Sequence, residues 1–148
     1  METGRMSNLQ FDRAIRKKLS GQPMPWLTYF RVHAHVKPEV MRFAKLLCRC
    51  GYTIGCLTNI DEGAYDYLMR TFDMSVFTRR FASFRIGIRK PDSRIYGYVI
   101  RKLRVSPSNI VLIDDIKANV SGARNAGMKA VQFRSLNEAK KRVYSYLS

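Results

Sequence analysis

Two adjacent carboxylates, Asp114 and Asp115, close the apolar run Val111-Leu112-Ile113. Paired acids at such a place can hold a hard cation, because Mg²⁺ takes one or two carboxylates and completes its coordination with water and phosphate oxygens. Thr58 and Asn59 close a second apolar stretch, which contains Ile54, Cys56 and Leu57. Thr58 offers a hydroxyl, and the main-chain N–H groups after it can hold a phosphate oxygen. Lys90, directly before Pro91, offers a point charge to an anionic substrate or an aspartyl-phosphate. Cation, hydroxyl and ammonium acting on one phosphate is the chemistry of phosphoryl transfer. Each residue also has a plainer reading. An Asp-Asp pair often caps the next helix, Thr-Asn suits a turn, and Lys90 is one of 27 lysines and arginines. Placed together at strand ends and a helix start, they favour the chemical reading.

The elements that must position them alternate along the chain. Ser7 as N-cap, Phe11, Ile15 and Leu19 at helical spacing, and Gly21 predict a short first helix. Residues 23–35 break the periodicity and read as a connection. Pro38 opens a second helix that Gly51 ends. A buried strand is expected over 53–59, helical spacing over 62–74, and a strand-compatible stretch over 76–83. Ile95, Val99, Ile100 and Leu103 make 91–105 an amphipathic helix. Residues 109–114 are the strongest strand, followed by a short helix ended by Gly127, a strand over 129–133 and a last helix. Short apolar strands between helices predict an α/β fold: a Rossmann-like parallel sheet with helices on both faces. Ligands in such sheets bind beyond the carboxyl ends of the strands.

The bulk numbers narrow the classes. A length of 148 residues with 46% hydrophobic and 11% aromatic content fits one folded domain and excludes disorder. No run reaches the ~18 apolar residues of a membrane span, and no secretory signal opens the chain, so a soluble, cytoplasmic protein is expected. Cys48, Cys50 and Cys56 are odd in number and lack zinc spacing, which predicts reduced thiols. His33 and His35 have no further ligands nearby in sequence, so no metal is expected there. The net charge of +16 raises a second possibility, nucleic-acid binding, which requires the cations to cluster on one face. They instead recur along the whole chain, at Arg16-Lys17-Lys18, Arg79-Arg80, Arg101-Lys102 and Lys140-Lys141-Arg142 among others. That pattern favours a generally basic, solvated surface.

Three stretches resemble motifs of the haloacid dehalogenase-like hydrolases: Leu57-Thr58-Asn59, the run from Gly87 through Lys90 and Pro91 to Tyr96, and the run from Val111 to Met128. Asp114, Asp115, Asn119, Ala123 and Gly127 stand where the family carries its acid pair, Asn and small-residue helix. The resemblance is to the branch of sugar-phosphate phosphatases, dehalogenases and the phosphatase domain of epoxide hydrolases. It implies a Mg²⁺-dependent phosphatase acting on a small phosphorylated metabolite. Thr58 and Lys90 would be catalytic, Thr58, Asn59 and Lys90 would bind phosphate, and Asp114 and Asp115 would hold the metal. The family's nucleophile is the first aspartate of an Asp-x-Asp motif ending the central strand, and these 148 residues contain no Asp-x-Asp. Asp12 lacks a preceding apolar strand, and Asp61, Asp66 and Asp73 follow the threonine motif, on the wrong side.

Glu2, Gly4, Met6, Ser7 and Phe11 resemble the family's helical cap. The expectation is therefore an N-terminally truncated member: residues 1–36 a cap remnant and connector, 37–148 a core without its first strand. Such a chain is expected to bind Mg²⁺ weakly and to be inactive by itself. It leaves its strands open to a neighbour, either a homo-oligomer or a complementing N-terminal segment. The alternative is a non-enzymatic relative that binds RNA or a ribonucleoprotein through its basic surface.

Overall fold

The computed structural model describes residues 26–147; the expected first helix and cap motif lie outside them. These residues fall into two compact units, the first running to Arg89 and the second starting at Lys90.

The first unit contains α1 (Trp26–His33), α2 (Pro38–Arg49), β1 (Gly55–Thr58), α3 (Glu62–Thr71), β2 (Arg79–Ala82) and the single-turn α4 (Ser83–Ile86). β1 and β2 pair in parallel, with Thr58 opposite Ala82. Helix α2 begins as the sequence dictates, with Pro38 in its first turn, where a missing N–H costs nothing. It ends in a Schellman motif: Tyr52 N–H donates to Leu47 O, Gly51 N–H donates to Cys48 O, and Gly51 takes φ +88°. Asp61 caps α3 by accepting from Ala64 N–H at 3.1 Å. Ile60, Ala64, Tyr65 and Ala82 form the buried cluster of this unit, with Leu27, Phe30, Leu68, Met69 and Phe84 packed on it.

The stretch 23–35 differs from its expectation as a connection, because Trp26–His33 is helical. Local pattern is weak there, and the helix is held by tertiary packing: Leu27 and Phe30 lie on the α3 cluster, and Phe30 meets the Tyr67 ring edge-on at 6.2 Å. Short helices depend on such packing more than on propensity.

The second unit contains α5 (Ser93–Leu103), a 3₁₀ turn (Pro107–Asn109), β3 (Val111–Asp114), α6 (Lys117–Asn125), β4 (Lys129–Gln132) and α7 (Leu136–Leu147). β3 and β4 are parallel, with Asp114 opposite Gln132. A right-handed crossover through a helix is the usual way to join parallel neighbours, and α6 is the connecting helix. It ends in a second Schellman motif, in which Met128 N–H donates to Ala123 O and Gly127 N–H to Arg124 O, with Gly127 at φ +84°. The buried apolar residues are Ile95, Tyr96 and Val99 of α5, Val120 and Ala123 of α6, Ala130 and Val131 of β4, and Ala139 and Val143 of α7, with Met128 between. The predicted strands and helices from residue 38 onward are present, each within a few residues of its expected bounds, and α4 is an addition.

Candidate functional site

Asp114 is the last residue of β3 and is buried, at 8% exposure. Its carboxylate is fully engaged on one oxygen and partly on the other. Oδ1 accepts from Ile116 N–H at 2.9 Å and from the Asn119 side-chain amide at 2.9 Å. Oδ2 accepts from Lys90 Nζ at 2.6 Å, and both side chains of this ion pair are nearly buried, at 9% and 5% exposure. A buried ion pair survives desolvation only when its remaining lone pairs are hydrogen-bonded. The Ile116 and Asn119 donors meet that condition.

Asn119 is itself buried. It lies in the first turn of α6, where its main-chain carbonyl accepts from the Tyr96 hydroxyl at 2.9 Å. Burial first, and the nearby Asp114 charge second, push the Tyr96 phenol up to about 12. The pair of acids expected to act alike are therefore unlike. Asp114 is locked in a network, whereas Asp115 is exposed, and its carboxylate has no partner among the described residues. Only its main chain is held, through Gln132 Nε2 on Asp115 O at 3.1 Å.

The donor set fits a hard cation within limits. A carboxylate has about four lone-pair sites; three of those on Asp114 are taken, so Oδ2 retains one beside Lys90. That lone pair and the open Asp115 carboxylate supply two oxygens, which suits an ion that keeps several waters. No group of three or more His, Cys, Asp or Glu side chains stands together among the described residues.

The first unit holds the other candidates. Thr58 ends β1 and is half-buried, and its hydroxyl has no partner among the described residues; Asn59 is half-buried beside it. The turn they begin is clamped immediately afterwards. Ser83, fully buried at the start of α4, accepts from Ile60 N–H at 3.0 Å and donates to Ile60 O at 3.1 Å. Asp61, also buried, accepts from the Trp26 indole N–H at 2.6 Å while capping α3. Sequence reasoning considered Asp61 only as a nucleophile and set it aside. Its cap role was signalled by its place just before a helical pattern. Ser83 carried no signal, since its partners come from 23 residues away. His33 and His35 each place Nδ1 against a main-chain carbonyl, Tyr29 O at 2.8 Å and His33 O at 2.9 Å.

A cleft of about 400 Å³ lies between α1 and α3, lined by Leu27, Arg31, Tyr67 and Arg70 among others. None of the predicted site residues lines it. Some of the positive charge is used inside the fold: Arg80 donates to Phe77 O and Met74 O, Arg124 to Ala130 O, and Lys129 to Tyr146 O. Arg85 stacks over Tyr65 at 4.5 Å.

Comparison with known proteins decides the family. The model of the haloacid dehalogenase-like hydrolases matches residues 7–127. The chain belongs to the haloacid dehalogenase-like hydrolase family. It is 30% identical over 139 residues to bifunctional epoxide hydrolase 2 of Sus scrofa, a match covering 87% of this chain and 21% of that protein. It is 27% identical over 108 residues to a glyceraldehyde 3-phosphate phosphatase of Methanopyrus kandleri, covering 72% of this chain and 45% of that one. The chain thus spans less than half the length of these two relatives. Among solved structures, a haloacid dehalogenase family enzyme of Bacteroides thetaiotaomicron, in complex with magnesium and inorganic phosphate, superposes with a TM-score of 0.77 at 16% identity. That match covers 91% of this chain and 71% of the enzyme. The mixed α/β fold with parallel strands expected from the sequence is the fold of that enzyme. The family membership expected from the motifs at Thr58, Lys90 and Asp114 also stands. No helix among the described residues is long and apolar enough to cross a membrane.

Proposed function

We propose that this haloacid dehalogenase-like chain carries the phosphate- and magnesium-handling residues of a phosphohydrolase acting on a small phosphorylated metabolite. The observation that carries the reading is the buried Lys90–Asp114 pair at 2.6 Å standing next to the exposed carboxylate of Asp115. A structural ion pair alone gives no reason for a second acid at the strand end whose carboxylate has no partner among the described residues. Asp114 Oδ2 and Asp115 would hold Mg²⁺, which when bound neutralises charge on a phosphoryl group. Lys90 sets an ammonium beside that position, its side chain held straight by Asp114. Thr58 offers its hydroxyl and Asn59 its amide to phosphoryl oxygens. The relatives named as phosphatases support the same class of substrate.

The 148 residues hold no Asp-x-Asp, so a carboxylate to attack phosphorus is missing from the set. The chain alone is therefore expected to bind Mg²⁺ and phosphate weakly and to turn nothing over. The test is phosphate release from an aryl phosphate with and without Mg²⁺, alongside a calorimetric titration of Mg²⁺ in the presence of inorganic phosphate. Weak binding without turnover supports the reading. Clear Mg²⁺-dependent turnover that Asp114→Asn abolishes would overturn the claim of an incomplete site, and absence of any Mg²⁺ binding would overturn the metal assignment.

A further inference from the structure

Tyr96 is the largest fully buried side chain among the described residues, and its ring is held in a notch made by a glycine. A Cβ on Gly122 would lie 2.7 Å from Tyr96 Cε2, closer than real contacts allow, and a tight 3.0 Å from its hydroxyl oxygen. The ring of α5 therefore seats against α6 only because residue 122 has no side chain. From that seat the hydroxyl reaches Asn119 O at 2.9 Å, and Asn119 in turn holds Asp114 Oδ1 through its side-chain amide at 2.9 Å.

The hydroxyl is not needed to satisfy a stranded group. Asn119 is helical, and its carbonyl already faces the N–H four residues on. The Tyr96 hydroxyl takes the second lone pair of that carbonyl, so its effect is to fix where Asn119 stands. A phenylalanine would fill the same notch and lose only this restraint.

We propose that Tyr96 is a positioning residue for the metal- and phosphate-handling end of the molecule. It anchors Asn119, Asn119 fixes the carboxylate plane of Asp114, and Asp114 then presents Oδ2 both to Lys90 and to a cation. The inference rests on the reading of Asp114 given above, and groups that orient a metal-binding side chain are worth about 10- to 100-fold in metal affinity. Specificity for the hydroxyl, as opposed to the ring, is what separates this role from core packing.

The experiment uses the ¹⁵N-labelled full chain, wild type and Tyr96→Phe, with 4-fluorophenylalanine at position 96 as a second variant that fills the space of the hydroxyl without a donor. The first readout is solvent exchange of the Asn119 side-chain amide protons, which needs no metal. The second is Mg²⁺ affinity with inorganic phosphate present. The proposal expects exchange about 10-fold faster and Mg²⁺ bound about 10-fold more weakly in both variants. It also expects Tyr96→Phe to add nothing to the loss already caused by Asn119→Ala. Wild-type exchange and affinity in either folded variant would overturn it, as would losses that multiply in the double variant. Should the wild type bind no Mg²⁺, the function proposed above falls, while the exchange readout still decides whether Tyr96 positions Asp114.

Discussion

The turn after β1 and the end of β3 both carry candidate phosphate-handling residues, yet they are built in opposite ways. At the end of β3 the candidates are themselves the structure. Asp114 and Lys90 are buried against each other, and the Lys90, Ile116 and Asn119 partners of Asp114 are all fold contacts. After β1 the candidate Thr58 is half-buried, its hydroxyl has no partner among the described residues, and rigidity is supplied by residues next in line, Ser83 on Ile60 and Trp26 on Asp61. In one region the candidate binding groups also hold the fold together; in the other the candidate and the groups that hold the fold are different neighbours. Substitutions should therefore affect both properties at the first and separate them at the second.

The largest effect is expected from Lys90→Ala, which strands a buried carboxylate. Urea unfolding of the second unit should show a loss of about 3–5 kcal/mol. A loss below about 1 kcal/mol would mean that the pair is not buried in solution, and the contrast between the regions would disappear. Next comes Ser83→Ala, which leaves both main-chain groups of Ile60 without their side-chain partner and should cost about 1–3 kcal/mol in the first unit. Asp61→Ala removes a helix cap and should cost about 1 kcal/mol, with a further loss for the Trp26 N–H. Trp26 fluorescence gives a local readout of that change.

Thr58→Val keeps the shape of the side chain and removes the hydroxyl. Its stability should stay within about 0.5 kcal/mol of the wild type, while binding of inorganic phosphate weakens severalfold. That outcome would sharpen the comparison, because it separates binding from stability at β1; equal phosphate binding would remove Thr58 from the site.

The remaining effects come from pH. Tyr96 is held protonated to about 12 in the folded chain and ionises near 10 when unfolded. The unfolded state thus releases a proton first as pH rises, and stability should fall between pH 10 and 12. Tyr96→Phe should lack that decline. At the acid end, hydrogen bonds from the Arg94 side chain and main chain hold Asp92 down at about 2. The folded chain then stays ionised while the unfolded chain takes up a proton near 4, so this half-buried surface group adds a slight loss of stability as pH falls from 4 to 2.

Much of this could be read from residue order, and the reasons differ by region. Gly51 and Gly127 after helical patterns foretold the two Schellman ends, because a left-handed residue there needs glycine. The Asp-Asp pair, Lys90 before a proline and Thr58-Asn59 stood out as candidates through residue type at strand ends and a helix start. What stayed hidden depends on approach between distant segments. The helix Trp26–His33 owes its existence to packing on α3, and the Ser83 clamp joins residues 23 apart. The unequal lives of Asp114 and Asp115 follow from which one points into the protein, which adjacent identical residues cannot disclose. The hydroxyl bond from Tyr96 to Asn119 was likewise hidden, since it joins residues 23 apart.

The most direct test of the account is a calorimetric titration of Mg²⁺ into the chain with inorganic phosphate present, comparing wild type with Asp115→Ala. Asp115 is exposed and its side chain has no partner among the described residues, so the substitution should leave the fold intact. The account predicts weak Mg²⁺ binding in the wild type and its loss in Asp115→Ala. Identical titrations for the two proteins would contradict it.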